Sequence, residues 1–387
     1  MRFGLTSLTQ AETSHHLTTA TPVCAPRDGT TAPAFPRHSP VRAELNAAVA
    51  DYFRAHDLDP HGGAAAGLKA GLIIGWAVCS WALLVFWAGS WWTAAPLAIS
   101  LGLALAGIGF AVMHDGGHGA SSGRRALNRL ASATLDLMGG SSYVWGVKHN
   151  VLHHTYPNVE GADDDIEFMP FFRLAPGQPR RWFHRWQHVY WAPLFLFFTT
   201  KWTLLDDFLA VVRGTVGGHS FRRPGAWQLL GLCAGKLFFL AWAIVLPLLW
   251  VPLVPYLAGY LLVSLVWGLT LGVVFQLAHV VEGAAFVPVS ASGTLPRPWL
   301  EHQLATTADF ARHNRLLTWY VGGLNHQVEH HLFPKVGHRH YPALARIVRE
   351  VCGRHGITTL EHESFFSAFR AHLRHLRRMG RPEPALA

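Results

Sequence analysis

The chain has 387 residues, of which 50% are apolar and 14% charged, and its formal net charge is +9. This composition, which includes 16 tryptophans, argues against a soluble globular protein and predicts an integral membrane protein. The positive charge does not indicate nucleic-acid binding, because the basic residues fall outside the long apolar stretches and no nucleic-acid motif interrupts those stretches.

The first 40 residues are rich in Thr, Ser, Pro and His and contain no apolar core of a secretory signal. We expect residues 1–40 to be a disordered cytoplasmic tail. From Val41 to His56 the apolar side chains recur at helical spacing, which predicts a helix at the membrane interface. The main domain is expected to cover residues 41–352, and a second cytoplasmic tail to cover residues 353–387.

Two long stretches, residues 70–113 and 237–281, contain no Asp, Glu, Lys or Arg. Each is long enough for two crossings, since a helix needs about 20 apolar residues to span a bilayer. Near the middle, where a turn is needed, the first stretch is interrupted by Gly89, Ser90 and Pro96 and the second by Pro252 and Pro255. The sequence therefore predicts two hairpins, with spans at residues 69–88, 93–113, 229–250 and 256–277.

The distribution of basic residues predicts the orientation of these hairpins. Lys and Arg are concentrated in the N-terminal segment, the connection 119–228 and the C-terminal region, which the positive-inside rule places in the cytoplasm. Lys236, inside the third span, is expected to extend its ammonium group to the interface. Within the connection, Leu127 to Trp145 is only moderately apolar and Trp191 to Phe198 is a short apolar patch. For both we expect in-plane or half-inserted helices rather than spans.

Three histidine motifs border the apolar stretches or lie beyond them. The first is His114-Asp-Gly-Gly-His118, the second is His149-Asn-Val-Leu-His153-His154, and the third is Gln327-Val-Glu-His330-His331. Positions four apart share one face of a helix, so each motif can present two side chains to the same place. His279 follows the fourth span, at the membrane depth of His114. Together these histidines supply eight imidazoles, which is too many for one ion and predicts two.

The ligand type narrows the choice of metal. Imidazole suits Zn, Cu, Fe and Ni, whereas the few carboxylates argue against Mg and Ca. Iron is favoured because a site beside an apolar compartment suits oxidation of a lipid chain, which offers no group for hydrolytic attack. Ring nitrogens that do not bind metal usually donate to an oxygen. Candidate acceptors are Asp115, Glu329 and the residues Asp163, Asp164 and Asp165.

These motifs resemble the three histidine boxes of membrane fatty acid desaturases, and the similarity covers roughly residues 65 to 350. The resemblance implies an all-α membrane fold in which four spanning helices lie beneath a cytoplasmic helical cap. It also implies a di-iron centre with O2 as co-substrate. The ligands it implies are His114, His118, His149, His153, His154, His279, His330 and His331.

Gln327 departs from the histidine that begins the third box in many members of that family. Glutamine there is typical of front-end desaturases and of the linoleoyl-CoA desaturase-like bacterial branch. Its amide oxygen can bind a metal directly, through water, or not at all. No His-Pro-Gly-Gly motif of a fused cytochrome b5 occurs in the chain. Electrons are therefore expected from a separate ferredoxin or cytochrome b5-type donor with its reductase.

The sequence thus predicts a fatty acyl desaturase, expected in a bacterial inner membrane, that uses O2 and two electrons. Its substrate is a long acyl chain linked to CoA or to a lipid. A hydroxylase with the same architecture is the main alternative, because both reactions begin by removing hydrogen from a positioned C–H bond. A seven-helix zinc hydrolase or receptor would need more spans and fewer ligands. A metal transporter would need ligands within the spans.

Overall fold

The computed structural model describes residues 24–26, 32–36, 39–290 and 292–382, and this part of the chain is mostly helical. Its helices are α1 (Pro40–Ala55), α2 (Gly63–Phe86), α3 (Trp91–His118), α4 (Arg125–Leu137), α5 (142–153), α6 (187–213), α7 (Ala226–Leu248), α8 (Leu253–His279), α9 (Trp299–Thr306), α10 (Arg315–Tyr320), α11 (Gln327–Leu332), α12 (Tyr341–Arg354) and α13 (Phe365–Met379). Helices α3, α5, α6 and α7 each include a π-helical segment.

Within the described residues, two small sheets accompany the helices. Their strands are β1 (Cys24–Pro26), β2 (Thr215–Val216), β3 (His219–Phe221), β4 (Ala308–Phe310) and β5 (Leu360–His362). Strand β3 pairs antiparallel with both β1 and β2, and β4 pairs parallel with β5. The β4–β5 pair joins the region before the third motif to the segment that precedes α13.

In the described part of the chain, four helices are long and apolar enough to cross a membrane, and each overlaps one of the four predicted spans. They are α2, α3, α7 and α8. Helix α2 begins six residues earlier than predicted, at Gly63, and α3 does not stop at residue 113 as expected. It continues through a π-helical segment to His118, so that the whole first motif lies on the spanning helix.

Close packing brings α3 against α8. A side chain on Gly102 of α3 would place its Cβ 2.8 Å from the Cβ of Val266, so glycine permits this approach. Helix α3 also contacts α2. Gly102 of α3 lies against Val266 of α8 and Gly109 lies against Leu271, so the two helices run in the same direction. The first motif and His279 therefore lie at the same end of this helix pair.

The apolar patch predicted from Trp191 to Phe198 belongs to the longer helix α6, which packs along α8. The residues of α6 that recur every fourth position, such as Phe195 and Thr199, are buried. A Cβ on Gly272 of α8 would lie 1.9 Å from a ring carbon of Phe195, so this contact requires glycine. The other predicted stretch forms α4 and the start of α5.

Lys236 does not reach the interface, and the expectation for this residue was wrong. Its side chain is 5% exposed and lies 2.7 Å from a carboxylate oxygen of Asp207 and 2.6 Å from the carbonyl oxygen of Thr203. It also donates to the carbonyl of Gly139. These three hydrogen-bond partners offset the free-energy cost of burying the ammonium group inside the protein. In the expected conformation, water at the interface would have solvated it.

Helix α1 is amphipathic as predicted, but its apolar face is covered by protein. Val41, Leu45 and Val49 are buried in one cluster with Leu344 and Val348 of α12. The predicted helix at the membrane interface is therefore packed against the C-terminal part of the chain. Two amphipathic helices can satisfy each other in this way, which the sequence of either one alone does not reveal.

Most of the expected N-terminal tail, residues 1–40, lies outside the described residues. Where it is described, β1 pairs with β3, and Ala34 exchanges backbone hydrogen bonds of 2.9 and 2.8 Å with Gly293 and Leu295. The boundary expected at residue 352 falls inside the folded body, because α13 buries an apolar face that includes Ala368 and Leu376.

Candidate metal centre

The eight predicted histidines lie together at the ends of α3 and α8, with α5 and α11 completing the cluster. The four-histidine group comprises His114, His118, His149 and His330. The three-histidine group comprises His153, His279 and His331. His154 forms a further set with His330 and His331 and so connects the two groups. Within each set the candidate ligand atoms lie within 4.8 Å of one another.

The indole ring of Trp145 packs against three members of the four-histidine group. Trp145 stacks on His149 with 4.6 Å between ring centroids, and the rings of His114 and His118 meet its edge at 5.7 Å. A Cβ on Gly117 would lie 2.3 Å from this indole. The first motif therefore needs glycine at this position because the tryptophan ring occupies the space beside it.

Hydrogen bonds orient the three-histidine group. The Nδ1 atom of His153 lies 3.2 Å from both carboxylate oxygens of Asp163. The Nδ1 atom of His331 lies 2.8 Å from the side-chain oxygen of Gln303. His279 makes the corresponding contact with the carbonyl oxygen of Thr306, at 3.2 Å. Each acceptor fixes the proton on Nδ1, which leaves the Nε2 lone pair free to bind a metal.

Four of the eight rings have a buried Nε2 atom with no hydrogen-bond partner in the described part of the chain. They belong to His118, His153, His330 and His331. Buried polar atoms are nearly always satisfied, so a group of such atoms facing one another indicates a site for a ligand. Two further Nε2 atoms, those of His114 and His149, are 3.1 Å apart. This donor set fits metal ions that prefer imidazole.

The electrostatics of the cluster favour neutral imidazoles. Burial lowers the pKa values of His149, His154, His330 and His331 well below the usual histidine value, and the neighbouring rings add to the effect. His153 is different. Burial opposes its charged form, but the carboxylates of Asp163 and Asp165 together more than offset this, so the pKa of His153 is raised. A neutral ring is the form that binds a metal.

Gln327 lies in the cluster beside His279. Its amide nitrogen is 2.9 Å from Nε2 of His279, and its amide oxygen is buried without a hydrogen-bond partner among the described residues. Rotation of the Gln327 side chain by about 180° about its Cγ–Cδ bond would put the amide oxygen where the amide nitrogen now lies. The third motif therefore brings an amide to the position where the third box of many desaturases has an imidazole.

The acidic residues that were predicted to accept hydrogen bonds from the histidines do not all contact the eight rings. Two members of the predicted acidic run contact His153: its Nδ1 atom lies 3.2 Å from Asp163 and 3.5 Å from Asp165. Asp163 also accepts a 2.8 Å hydrogen bond from the backbone N–H of Asn158. Asp115 instead contacts His338, which lies outside the three motifs. Glu329 lies on the other side of α11, in a buried set with Asp309 and His326.

Sequence reasoning missed several residues that contact the histidine rings. Gln303 and Thr306 lie on α9, and Tyr341, whose hydroxyl is 3.1 Å from Nδ1 of His330, begins α12. None of them belongs to a motif with a recognisable spacing. Phe275 of α8 was also missed; its ring contacts those of His153 and His279 and forms an apolar wall beside them.

Comparison with known proteins agrees with this geometry. The fatty acid desaturase family matches residues 90–362. The sn-1 linoleoyl-lipid 6-desaturase of Arthrospira platensis is 36% identical over 340 residues, which are 87% of this chain and 92% of the relative. The enzyme of the same name from Synechocystis is 34% identical over 350 residues, 88% and 95% of the two chains. The acyl-lipid (8-3)-desaturase of Physcomitrium patens is 35% identical over 339 residues, 87% and 70%.

The matched region contains all three histidine motifs and His279. The two cyanobacterial relatives align over nearly their whole length. The chain therefore belongs to the fatty acid desaturase family, in its front-end-like branch, and is a fatty acyl desaturase.

Proposed function

We propose that the histidine cluster holds two iron ions and that the protein uses them, with O2, to introduce a double bond into a lipid-linked acyl chain. The four-histidine group would hold one ion, and the three-histidine group would hold the other. His154 lies where it can serve either. The observation that carries this proposal is the set of buried Nε2 atoms without partners, which face one another across the two groups.

When bound, the iron pair would supply the activation of dioxygen that removal of hydrogen from an unactivated methylene requires. The chain itself supplies the environment. Asp163, Gln303 and the carbonyl of Thr306 hold protons on Nδ1 and keep the rings in one orientation. Phe275 and Trp145 present apolar surfaces next to the rings and exclude water.

The balance of the reaction requires an external reductant. Two hydrogen atoms leave neighbouring methylenes of the acyl chain, and dioxygen accepts these together with two electrons and two protons to form two waters. We propose a separate ferredoxin or cytochrome b5-type protein with its reductase as the electron source. The positive net charge of +9 favours docking of an acidic carrier.

The names of the relatives support the proposed substrate. The two cyanobacterial proteins are named for desaturation of linoleoyl lipid, and the moss protein is named an acyl-lipid desaturase. We therefore favour an acyl chain linked to a lipid over one linked to CoA. Glutamine at position 327 supports insertion of the double bond on the carboxyl side of an existing one, which is the front-end reaction.

For the topology we propose two hairpins that open to the cytoplasm of a bacterial cell, with the histidine cluster on that side. The desaturase domain would begin near residue 41 and continue through α13, and residues 1–40 would be a tail. Clustering of Lys and Arg outside the apolar stretches supports this orientation. Reporter fusions at the α2–α3 turn and at the C-terminus would test it; the proposal requires opposite sides of the membrane.

The proposed reaction is tested by expressing the chain in a host that lacks polyunsaturated lipids, together with a matching electron donor, and supplying defined acyl chains. Mass spectrometry of the intact lipids should show loss of two hydrogens, with the new double bond on the carboxyl side of the existing one. Gain of one oxygen would instead support the hydroxylase, which the names of the relatives do not favour. Conversion confined to acyl-CoA would contradict the lipid-linked substrate.

A further inference from the structure

Lys69 is a charged residue in an unusual place. It is the one charged residue of α2, the first candidate span, and its side chain is 7% exposed. Its ammonium group also lies 5.1 Å from the ring centroid of Trp319. An ionisable side chain inside a spanning segment is costly and is retained where it has a partner and a role.

The hydrogen-bond partner of Lys69 also contacts the first histidine motif. Its Nζ atom lies 2.8 Å from Nε2 of His338, and Nδ1 of His338 lies 2.6 Å from a carboxylate oxygen of Asp115. All three side chains are buried. Lys69, His338 and Asp115 thus form a row of three hydrogen-bonded groups. Asp115 is the residue between His114 and the glycines of the first motif, so this row ends beside a proposed iron ligand.

The chemistry of the three groups assigns every proton in this row. An ammonium group only donates and a carboxylate only accepts, so His338 must accept at Nε2 and donate from Nδ1. A neutral imidazole does both. The row then has one positive and one negative end and no net charge, which makes its burial tolerable while both ends are present.

Backbone contacts bring the same segments together. The N–H of Gly62, just before α2, donates to the carbonyl of Ala120 at 2.9 Å, and the N–H of Gly337 donates to the carbonyl of Pro60 at 2.8 Å. A Cβ on Gly337 would lie 2.6 Å from the nitrogen of Gly62. The start of the first span, the turn after the first motif and the loop after the third motif therefore meet at one place.

We propose that Lys69 is a positioning residue for the metal centre, acting through His338 and Asp115 on the helix end that carries His114 and His118. This inference rests on the proposed iron-binding function. Lys69 itself does not contact the histidine cluster. Its effect is to fix the last turn of α3 against α2, and a displacement of about 1 Å at a reacting centre is enough to cost roughly a hundredfold in rate.

The test uses the detergent-solubilised full-length protein loaded with iron, and Lys69→Met, which keeps the length of the side chain but removes the charge. We expect kcat to fall roughly tenfold to hundredfold, in the range found when partners of metal ligands are removed, with KM for the acyl lipid unchanged. The Mössbauer spectrum of the bound iron should change. Lys69→Arg, which restores the charge and a donor, should recover part of kcat.

Lys236→Met is the matched control, because Lys236 is also a buried lysine in a span but is paired with Asp207, away from the histidines. It should lower thermal stability and leave the Mössbauer spectrum unchanged. Lys69→Met with wild-type kcat would overturn the inference. The inference would also be overturned if the fall in activity matched the fall in the amount of folded protein and the Mössbauer spectrum were unchanged. A wild-type protein without an iron spectrum would overturn the proposed function itself, before any variants are compared.

Discussion

In the three-histidine group each Nδ1 atom has a hydrogen-bond acceptor: Asp163 for His153, Gln303 for His331 and a carbonyl for His279. In the four-histidine group three of the rings instead contact the indole of Trp145. The same ligand type is thus positioned by polar partners on one side of the cluster and mainly by ring packing on the other.

This difference has consequences for the proposed iron sites. An acceptor on Nδ1 fixes the proton, orients the ring and makes Nε2 a stronger donor to a metal. Ring packing orients the imidazole but does not change its basicity in this way. We therefore expect polar substitutions around the three-histidine group to have larger effects than packing substitutions around the four-histidine group.

The largest effect is expected from removal of a ring from either group. His153→Ala and His330→Ala should both reduce desaturation below detection, because each removes a proposed iron ligand. Membrane insertion should be retained, since it depends on the apolar spans. Lipid analysis and membrane fractionation would measure these two properties. Retained turnover in one variant would show that its histidine group is not required for desaturation, contrary to the proposal that both groups are needed.

Asp163→Asn tests the polar side of the comparison. The amide keeps the size of the carboxylate but loses its charge, so the His153 ring loses the nearer of its two anionic neighbours, Asp163 and Asp165. We expect roughly a tenfold to hundredfold loss of iron affinity or activity. Asp164→Asn is the control, because Asp164 pairs with Lys148 and is partly exposed. Iron titration would compare the two variants; equal affinities would contradict the role of Asp163.

Gly117→Ala tests the packing side. The new Cβ would clash with the indole of Trp145, and overpacking of this kind costs about 1–3 kcal/mol. We expect a loss of activity smaller than that of Asp163→Asn. Combining it with Trp145→Leu relieves the clash, and the double variant should fold more stably than Gly117→Ala alone. Thermal unfolding measures this coupling. Strictly additive effects would mean that the two residues do not act on each other.

The smallest effect is expected from Tyr341→Phe. This change removes the hydroxyl that lies 3.1 Å from Nδ1 of His330 and leaves the ring in place. A neutral hydrogen bond contributes about 1 kcal/mol, so activity should fall by about fivefold. A loss as large as that of Asp163→Asn would show that the four-histidine group also depends on polar partners, which would weaken the contrast.

The spans and the motifs were predictable because both signals are local. A charge-free stretch of sufficient length marks a span wherever it occurs, and histidines four apart on a helix face the same way. The position of His279 followed from topology. These features gave the four candidate spans and the set of histidines that the structure brings together.

The partners of the rings were not predictable in the same way. Gln303 and Tyr341 contact His331 and His330 from helices whose sequences carry no metal-binding pattern. The burial of Lys236 depends on Asp207, 29 residues away in the chain. Packing of α1 on α12 likewise depends on two distant amphipathic faces. Such contacts are set by tertiary structure, and a single segment does not encode them.

Elemental analysis of the purified protein would measure directly whether the histidine cluster holds two irons. With iron supplied during expression, we expect two irons per chain, and fewer when His153 or His330 is replaced by alanine. The two groups of facing, unpartnered Nε2 atoms are the basis for that number. One zinc per chain and no iron would contradict the proposed di-iron centre.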